Sequence, residues 1–227
     1  MTAPTPALTR PRRRDLAWFW FARWVVELFC RAFWRVELVG LDKVPRSGPY
    51  VIAPVHRSNV DTLIAGCLTR RRIRFMGKDS LWSYRVSAAL FSSLGGFPVH
   101  RGTPDREALR TCEQALALGE PVVLFPEGTR QTGPEVHPLF EGACFVAARA
   151  GVPIVPVGIG GSEWAMPKGA KGLHPVRVAV VVGDPIPPPA RTEGARISRR
   201  SVAETSALLH ERLQTLFDDA LRRAGRA

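Results

Sequence analysis

At 227 residues, 45% of them hydrophobic, the chain has the size of one α/β domain with a short appendage, and too much apolar material for a disordered or low-complexity protein. A formal charge of +12 and an isoelectric point near 10.8 favour a polyanionic partner: nucleic acid, an anionic membrane surface or a phosphorylated substrate. Cys30, Cys67, Cys112 and Cys144 form no CxxC pair and no His/Cys cluster, which argues against a zinc site or a disulfide framework and fits a reducing cytoplasm.

The first 14 residues, MTAPTPALTRPRRR, are rich in proline and arginine and are expected to be a disordered basic tail. A helix is expected over 15–34, and a folded domain over 35–227. In and just after that helix Asp15, Arg23, Glu27, Arg31 and Arg35 are spaced by multiples of four. They make a narrow polar stripe on a surface otherwise covered by Trp, Phe, Leu and Val, and Glu27 has an arginine one turn away on either side. No uncharged run here approaches the roughly 20 residues of a transmembrane span. Charges interrupt the apolar stretch and no small-residue cleavage site follows, so a signal peptide is not expected. Two readings stand: a helix packed on the protein's own core, or one lying in a membrane interface. The tryptophans and the wide apolar face favour the second, with the protein resting on the membrane without crossing it. The arginines of 10–14 and 70–74 would add attraction to anionic lipid.

Further along, RVELVG (35–40) reads as a short strand, LDKVPRSGPY as turns, and YVIAPV (50–55) as a buried strand. His56 follows where that strand ends. Ser58 and Asp61 have the spacing of a capping box, with the apolar run TLIAGCL behind them. Next come the basic run RRRIR (70–74), MGKDSLW, a helical stretch around 84–93, and GGFPVHRG (95–102). Residues 104–118 make an amphipathic helix with Pro104 at its start and Gly119 at its end. PVVLFPEGTR (121–130) is a strand running into a polar turn, and EGACFVAARAG is a helix ending at Gly151. VPIVPVGIGG and PVRVAVVVG (175–183) are strands, and 198–223 is an amphipathic terminal helix. Strands alternating with helices indicate a single α/β domain with a largely buried sheet.

Polar residues that a core does not require stand at three strand ends: His56 with Asp61, Arg101, and Glu127–Arg130. In open α/β sheets ligands bind beyond the carboxyl ends of strands. From the residues alone each has a bland alternative. His56 could be a loop histidine and Asp61 a helix cap, Arg101 a solvated turn residue, and FPEGTR a strand closed by a glycine turn. The charge could also mean nucleic-acid binding, but the chain has no RNP, zinc-finger or helix-turn-helix signature.

HRSNVD, GGFPVHR, FPEGTR and VPIVPVGI occur in that order between about residues 34 and 185. Together they resemble the four sequence blocks of the glycerolipid acyltransferases, a family that includes the 1-acylglycerol-3-phosphate acyltransferases. The resemblance implies a glycerolipid acyltransferase-like fold over 35–227. It implies His56 and Asp61 as the catalytic pair and Arg101 as an acceptor-phosphate contact. Glu127, Gly128, Thr129 and Arg130 would meet the glycerol phosphate, and Lys78 is a weaker match to a basic residue of the same site. Pro156 would help bind the acyl donor or shape the site. The implied substrates are acyl-CoA or acyl carrier protein as donor and a lysophospholipid as acceptor, with no metal and no other cofactor. The implied location is peripheral or monotopic, on the cytoplasmic face of the cell membrane. Glycerol 3-phosphate or another lysolipid is the alternative acceptor. Departures from the family pattern include Val55 before the histidine, His100 before Arg101, and Glu141 opening the helix after FPEGTR.

The implied chemistry suits these residues. A hydroxyl is a poor nucleophile at neutral pH, so a base must take its proton as the new C–O bond forms. An imidazole, with an unperturbed pKa of about 6.5, is such a base. A carboxylate on its other nitrogen fixes the tautomer and stabilises the imidazolium. No GxSxG elbow supplies a nucleophilic serine, and arginine offers planar, permanently charged donors for phosphate.

Overall fold

A computed structural model describes residues 13–99, 106–170, 172–190 and 197–226. The chain begins with α1 (Arg13–Phe33), then β1 (Glu37–Val39), β2 (Val51–Pro54), α2 (Asp61–Ala65), β3 (Arg74–Lys78), α3 (Arg85–Ser93) and β4 (Gly96–Val99). It continues through α4 (Arg106–Ala117), β5 (Val122–Val123), α5 (Gly142–Ala150), β6 (Ile154–Gly160), α6 (Ser162–Ala165), β7 (Ala179–Val182) and α7 (Arg199–Arg223). The sheet has seven strands in the order β1-β7-β6-β2-β5-β3-β4. All neighbours are parallel except β6 and β7. The carboxyl ends of β2, β3, β4 and β5 therefore lie along one end of the sheet.

Strands β2, β6 and β7 are buried at every position, as in a parallel sheet covered on both faces, and their sequences are accordingly apolar without alternation. Helix α7 buries Val202, Leu209, Leu213, Phe217 and Leu221, a stripe at helical spacing. It lies close on β6 because two glycines leave room. A Cβ on Gly158 or Gly160 would stand 2.3 Å from the carbonyls of Leu216 or Ala220.

Two strands differ from the sequence reading. β5 pairs over only Val122–Val123. Leu124 N still bonds Ile52 O at 2.9 Å, but Pro126 has no N–H and the chain turns away. β3 was not expected, because its arginines read as a polar run. Arg74 is buried, and it and Arg72 pair with Glu120 just before β5. Arg71 donates to the carbonyls of Gly48 and Gly119 and lies over the ring of Tyr50. Arg71, Arg72 and Arg74 of the 70–74 run thus make contacts within the molecule, and only Arg70 is exposed.

Helix α1 docks through Arg23 and Glu27 of its polar stripe, while Arg31 stays largely exposed. Arg23 donates to the carbonyl oxygens of Thr69 (2.8 Å) and Cys67 (3.4 Å), and Glu27 pairs with Arg23 and Arg31. Phe19, Ala22 and Cys30 are buried on the same side, and Trp18 Nε1 reaches Ser93 Oγ at 3.1 Å. Trp20, Phe21, Trp24 and Leu28 point to solvent. The helix ends at Phe33, so Arg35 lies beyond it, with a positive φ of 46°. No helix among the described residues is long and apolar enough to cross a membrane. Of the basic tail expected over 1–14, residues 1–12 lie outside the described residues, and Arg13 and Arg14 instead open α1.

Candidate active site

His56 follows the end of β2, and both of its backbone polar groups are held by the turn after β5. His56 N donates to Glu127 Oε2 at 2.9 Å, and Gln131 N donates to His56 O at 2.9 Å. The imidazole stacks on Phe125, with centroids 4.0 Å apart. Nδ1 meets Asp61 Oδ2 at 3.0 Å, with the aspartate fully buried. The same oxygen accepts from Arg57 N at 2.6 Å and Ser58 N at 2.7 Å. An ionised carboxylate can only accept, so Nδ1 carries the hydrogen, and in the neutral ring the lone pair falls on Nε2. Positions five apart on a continuous helix would not meet. Here Asp61 opens α2 and the loop folds the ring back onto it.

Only half of the expected capping box is formed: Asp61 Oδ2 accepts from Ser58 N, but Asp61 N donates to Ser58 O rather than to its hydroxyl. Val60 is the N-cap of α2 and makes no side-chain cap bond. Ser58 Oγ donates instead to Met166 O at 2.9 Å, which ties the loop after α6 to the loop carrying His56. Asp61 accepts with one oxygen from backbone N–H groups ahead of its helix and from the imidazole, so it ties the loop and orients the ring.

His56 lines a cavity of about 490 Å³. Its walls are mainly apolar, with Phe19 and Val26 of α1, Leu63 of α2, Met76 of β3 and Phe91 of α3 among them. Two arginines reach it, Arg23 and Arg130. A volume of this size and lining is typical of small-molecule sites.

The other expected residues are placed unevenly. Arg130 lines the cavity with His56. Gly128 has φ 68°, and a Cβ there would stand 2.7 Å from the Phe140 ring, so this glycine makes room for an aromatic side chain of the protein itself. Thr129 is exposed, with Oγ1 accepting from Gln131 Nε2. Glu127 is buried, and its oxygens accept from His56 N, His137 N and Arg57 Nη1. Pro156 is buried in β6, opposite Ala53 of β2, and is not a cavity wall. Lys78 ends β3 at the carboxyl end of the sheet. Arg101 lies outside the described residues; the strand before it, β4, ends at Val99. Sequence reasoning passed over Arg57, Asn59 and Arg23. Asn59 is a cavity wall, and both Arg57 and Asn59 stand inside the HRSNVD block, the one signal that could have drawn attention to them.

No cysteine is among the cavity walls. All four are buried, and burial pushes the Cys112 thiol up to about 12 and the Cys144 thiol up to about 11. Cys67 Sγ donates to Leu63 O at 3.5 Å, and the interaction of the Cys30 and Cys67 thiols pushes Cys30 up and Cys67 down. Among the described residues no group of three or more His, Cys, Asp or Glu side chains is placed to hold a metal ion.

Residues 35–160 match the family model described as Acyltransferase. The chain belongs to the acyltransferase family. This acyltransferase is similar to curated 1-acyl-sn-glycerol-3-phosphate acyltransferases. The chloroplastic protein of Brassica napus is 31% identical over 160 residues, 68% of this chain and 46% of its own length. That of Arabidopsis thaliana is 30% identical over 189 residues, 81% of this chain and 52% of its own. The acyltransferase thus spans about half the length of these plant relatives. The Bacillus subtilis protein is 27% identical over 183 residues, 80% of this chain and 87% of its own. In fold the acyltransferase resembles the crystal structure of the 1-acyl-sn-glycerophosphate acyltransferase PlsC of Thermotoga maritima. The TM-score is 0.71 at 23% identity, covering 92% of this chain and 84% of that one. The architecture is thus the α/β acyltransferase fold expected from the sequence.

Proposed function

We propose that this chain moves a fatty acyl group from an acyl thioester to the free hydroxyl of 1-acylglycerol 3-phosphate, giving phosphatidic acid. The observation that carries the reading is the His56–Asp61 pair, 3.0 Å apart, opening onto an apolar cavity, in a chain similar to proteins named for that reaction. His56 Nε2 takes the proton of the acceptor hydroxyl as its oxygen attacks the thioester carbonyl. Asp61 holds Nδ1–H and stabilises the imidazolium. As the tetrahedral intermediate collapses, the C–S bond breaks and the imidazolium returns the proton to the departing thiolate. No covalent acyl-enzyme forms. The cavity receives an acyl chain, and Arg130, at its wall, receives the acceptor phosphate. Acyl-CoA or acyl carrier protein is the donor.

Both acceptor and product reside in a bilayer, and α1 accounts for access to it. With Arg23 engaged inward and Trp20, Phe21, Trp24 and Leu28 outward, it lies in the membrane interface, on the cytoplasmic face. A panel of lysophosphatidate, glycerol 3-phosphate, lysophosphatidylglycerol and monoacylglycerol, each with labelled acyl-CoA or acyl carrier protein, tests the reading. Turnover of lysophosphatidate above the others is expected. Equal or better use of the uncharged acceptor would remove the role given to Arg130 and the assignment of substrate.

A further inference from the structure

We infer that the buried Arg57–Glu127 pair is a positioning device for His56 and takes no part in holding the acceptor. This rests on the acyl-transfer reading above and deepens it. Glu127 belongs to the FPEGTR block, whose resemblance points to glycerol-phosphate binding, yet its side chain is 0% exposed and that of Arg57 1%. Neither residue is among the cavity walls. Burying two charges is costly unless geometry and hydrogen bonding are complete, and here they are. Arg57 Nη1 lies 2.7 Å and 2.9 Å from the two carboxylate oxygens. Its Nε donates to Gly133 O at 3.2 Å and its Nη2 to Glu135 O at 2.8 Å. The guanidinium lies over the Phe217 ring, 4.7 Å from its centroid. The carboxylate accepts in addition from His137 N and His56 N.

The backbone of His56 is where these bonds converge. Its N–H is held by Glu127, and its carbonyl accepts from Arg57 Nη1 at 3.1 Å as well as from Gln131 N. The ring is fixed separately, by Asp61 and Phe125. The pair thus sets where the residue stands, and Asp61 sets how the imidazole is turned. The same pair reaches the end of the chain. Loop 133–136, which supplies the Arg57 acceptors, is bonded to α7 through Gln214, to Val136 N and Pro134 O, and through His210 Nε2 to Val136 O. Helix α7, which follows the 35–160 segment, thereby belongs to the support of the catalytic histidine.

The test compares Glu127→Gln and Arg57→Lys with wild type by steady-state kinetics on lysophosphatidate, with backbone amide exchange over 54–60 and 128–132 followed in the same proteins. A displacement near 1 Å is enough to cost about 10²-fold in rate. The expected result is a fall in kcat of about 10- to 100-fold with KM for the acceptor within about twofold, since the ground-state contacts are untouched. Amide exchange at His56 and Gln131 should quicken while that of β6 is unchanged. A KM raised tenfold at wild-type kcat would put Glu127 on the acceptor and overturn the inference. So would unchanged exchange at His56 in folded Glu127→Gln, whatever the activity. Because one unpaired buried charge can unfold a chain, the double variant Arg57→Met/Glu127→Leu removes both charges together. Wild-type kcat in that variant, folded, would also overturn the inference. If wild type turned over none of the acceptors, the acyl-transfer reading would fall, and the exchange measurement would still decide the positioning.

Discussion

Replacing Trp24 with serine tests the inside-out docking of α1. This side chain is 59% exposed. With roughly 250 Å² for a tryptophan, about 150 Å² meets solvent, worth about 3.7 kcal/mol at ~25 cal/mol per Å² if wholly removed from water. An interfacial helix sinks its apolar face only to the headgroup boundary, so about half of that is realised. The corresponding loss is about 20-fold in partitioning, at ~1.4 kcal/mol per factor of ten. Sedimentation with vesicles of phosphatidylglycerol and phosphatidylethanolamine measures it directly. Leu208→Ser, on an exposed position of α7, serves as the control and should bind as wild type does. Equal binding by wild type and Trp24→Ser, or equal loss in both variants, would refute α1 as the membrane face.

Other outcomes follow from the site and the core. Asp61→Asn keeps the shape of a side chain that holds His56 Nδ1 and the N–H groups of Arg57 and Ser58 but removes the charge opposite the imidazolium. Initial-rate kinetics should show kcat lower by about 10²–10⁴-fold, and a loss under tenfold would contradict the role of the carboxylate. Gly160→Ala places a Cβ 2.3 Å from Ala220 O and forces α7 away from β6. Overpacking of this kind costs about 1–3 kcal/mol, read as a Tm lower by about 3–10 °C for a chain of this length; an unchanged Tm would show that α7 does not lie so close.

The sequence was informative where apolar runs are continuous. Val51–Pro54 and Ile154–Gly160 are strands for the reason their composition suggests: both are buried throughout. It was uninformative where a distant residue decides the outcome. β3 opens at Arg74, whose charge is met by Glu120, 46 residues away. Nothing local to RRRIR announces that partner. The helical period of α1 was legible, but its facing was not, because Arg23 docks on carbonyls at positions 67 and 69. The His56–Asp61 meeting was legible as a possibility, since a loop-to-helix junction relaxes the five-residue spacing. Glu127 reads as a surface acid of a polar turn. Its burial depends on Arg57 and on backbone N–H groups 71 and 10 positions away, which no pattern in FPEGTR encodes.

The most direct measurement is acyl transfer from labelled acyl-CoA, or from labelled acyl carrier protein, to lysophosphatidate by purified wild-type protein and His56→Ala side by side. The account expects phosphatidic acid from wild type and a rate at least about 10²-fold lower from the folded variant. Undiminished turnover by His56→Ala, or folded wild type silent with both donors, would contradict it.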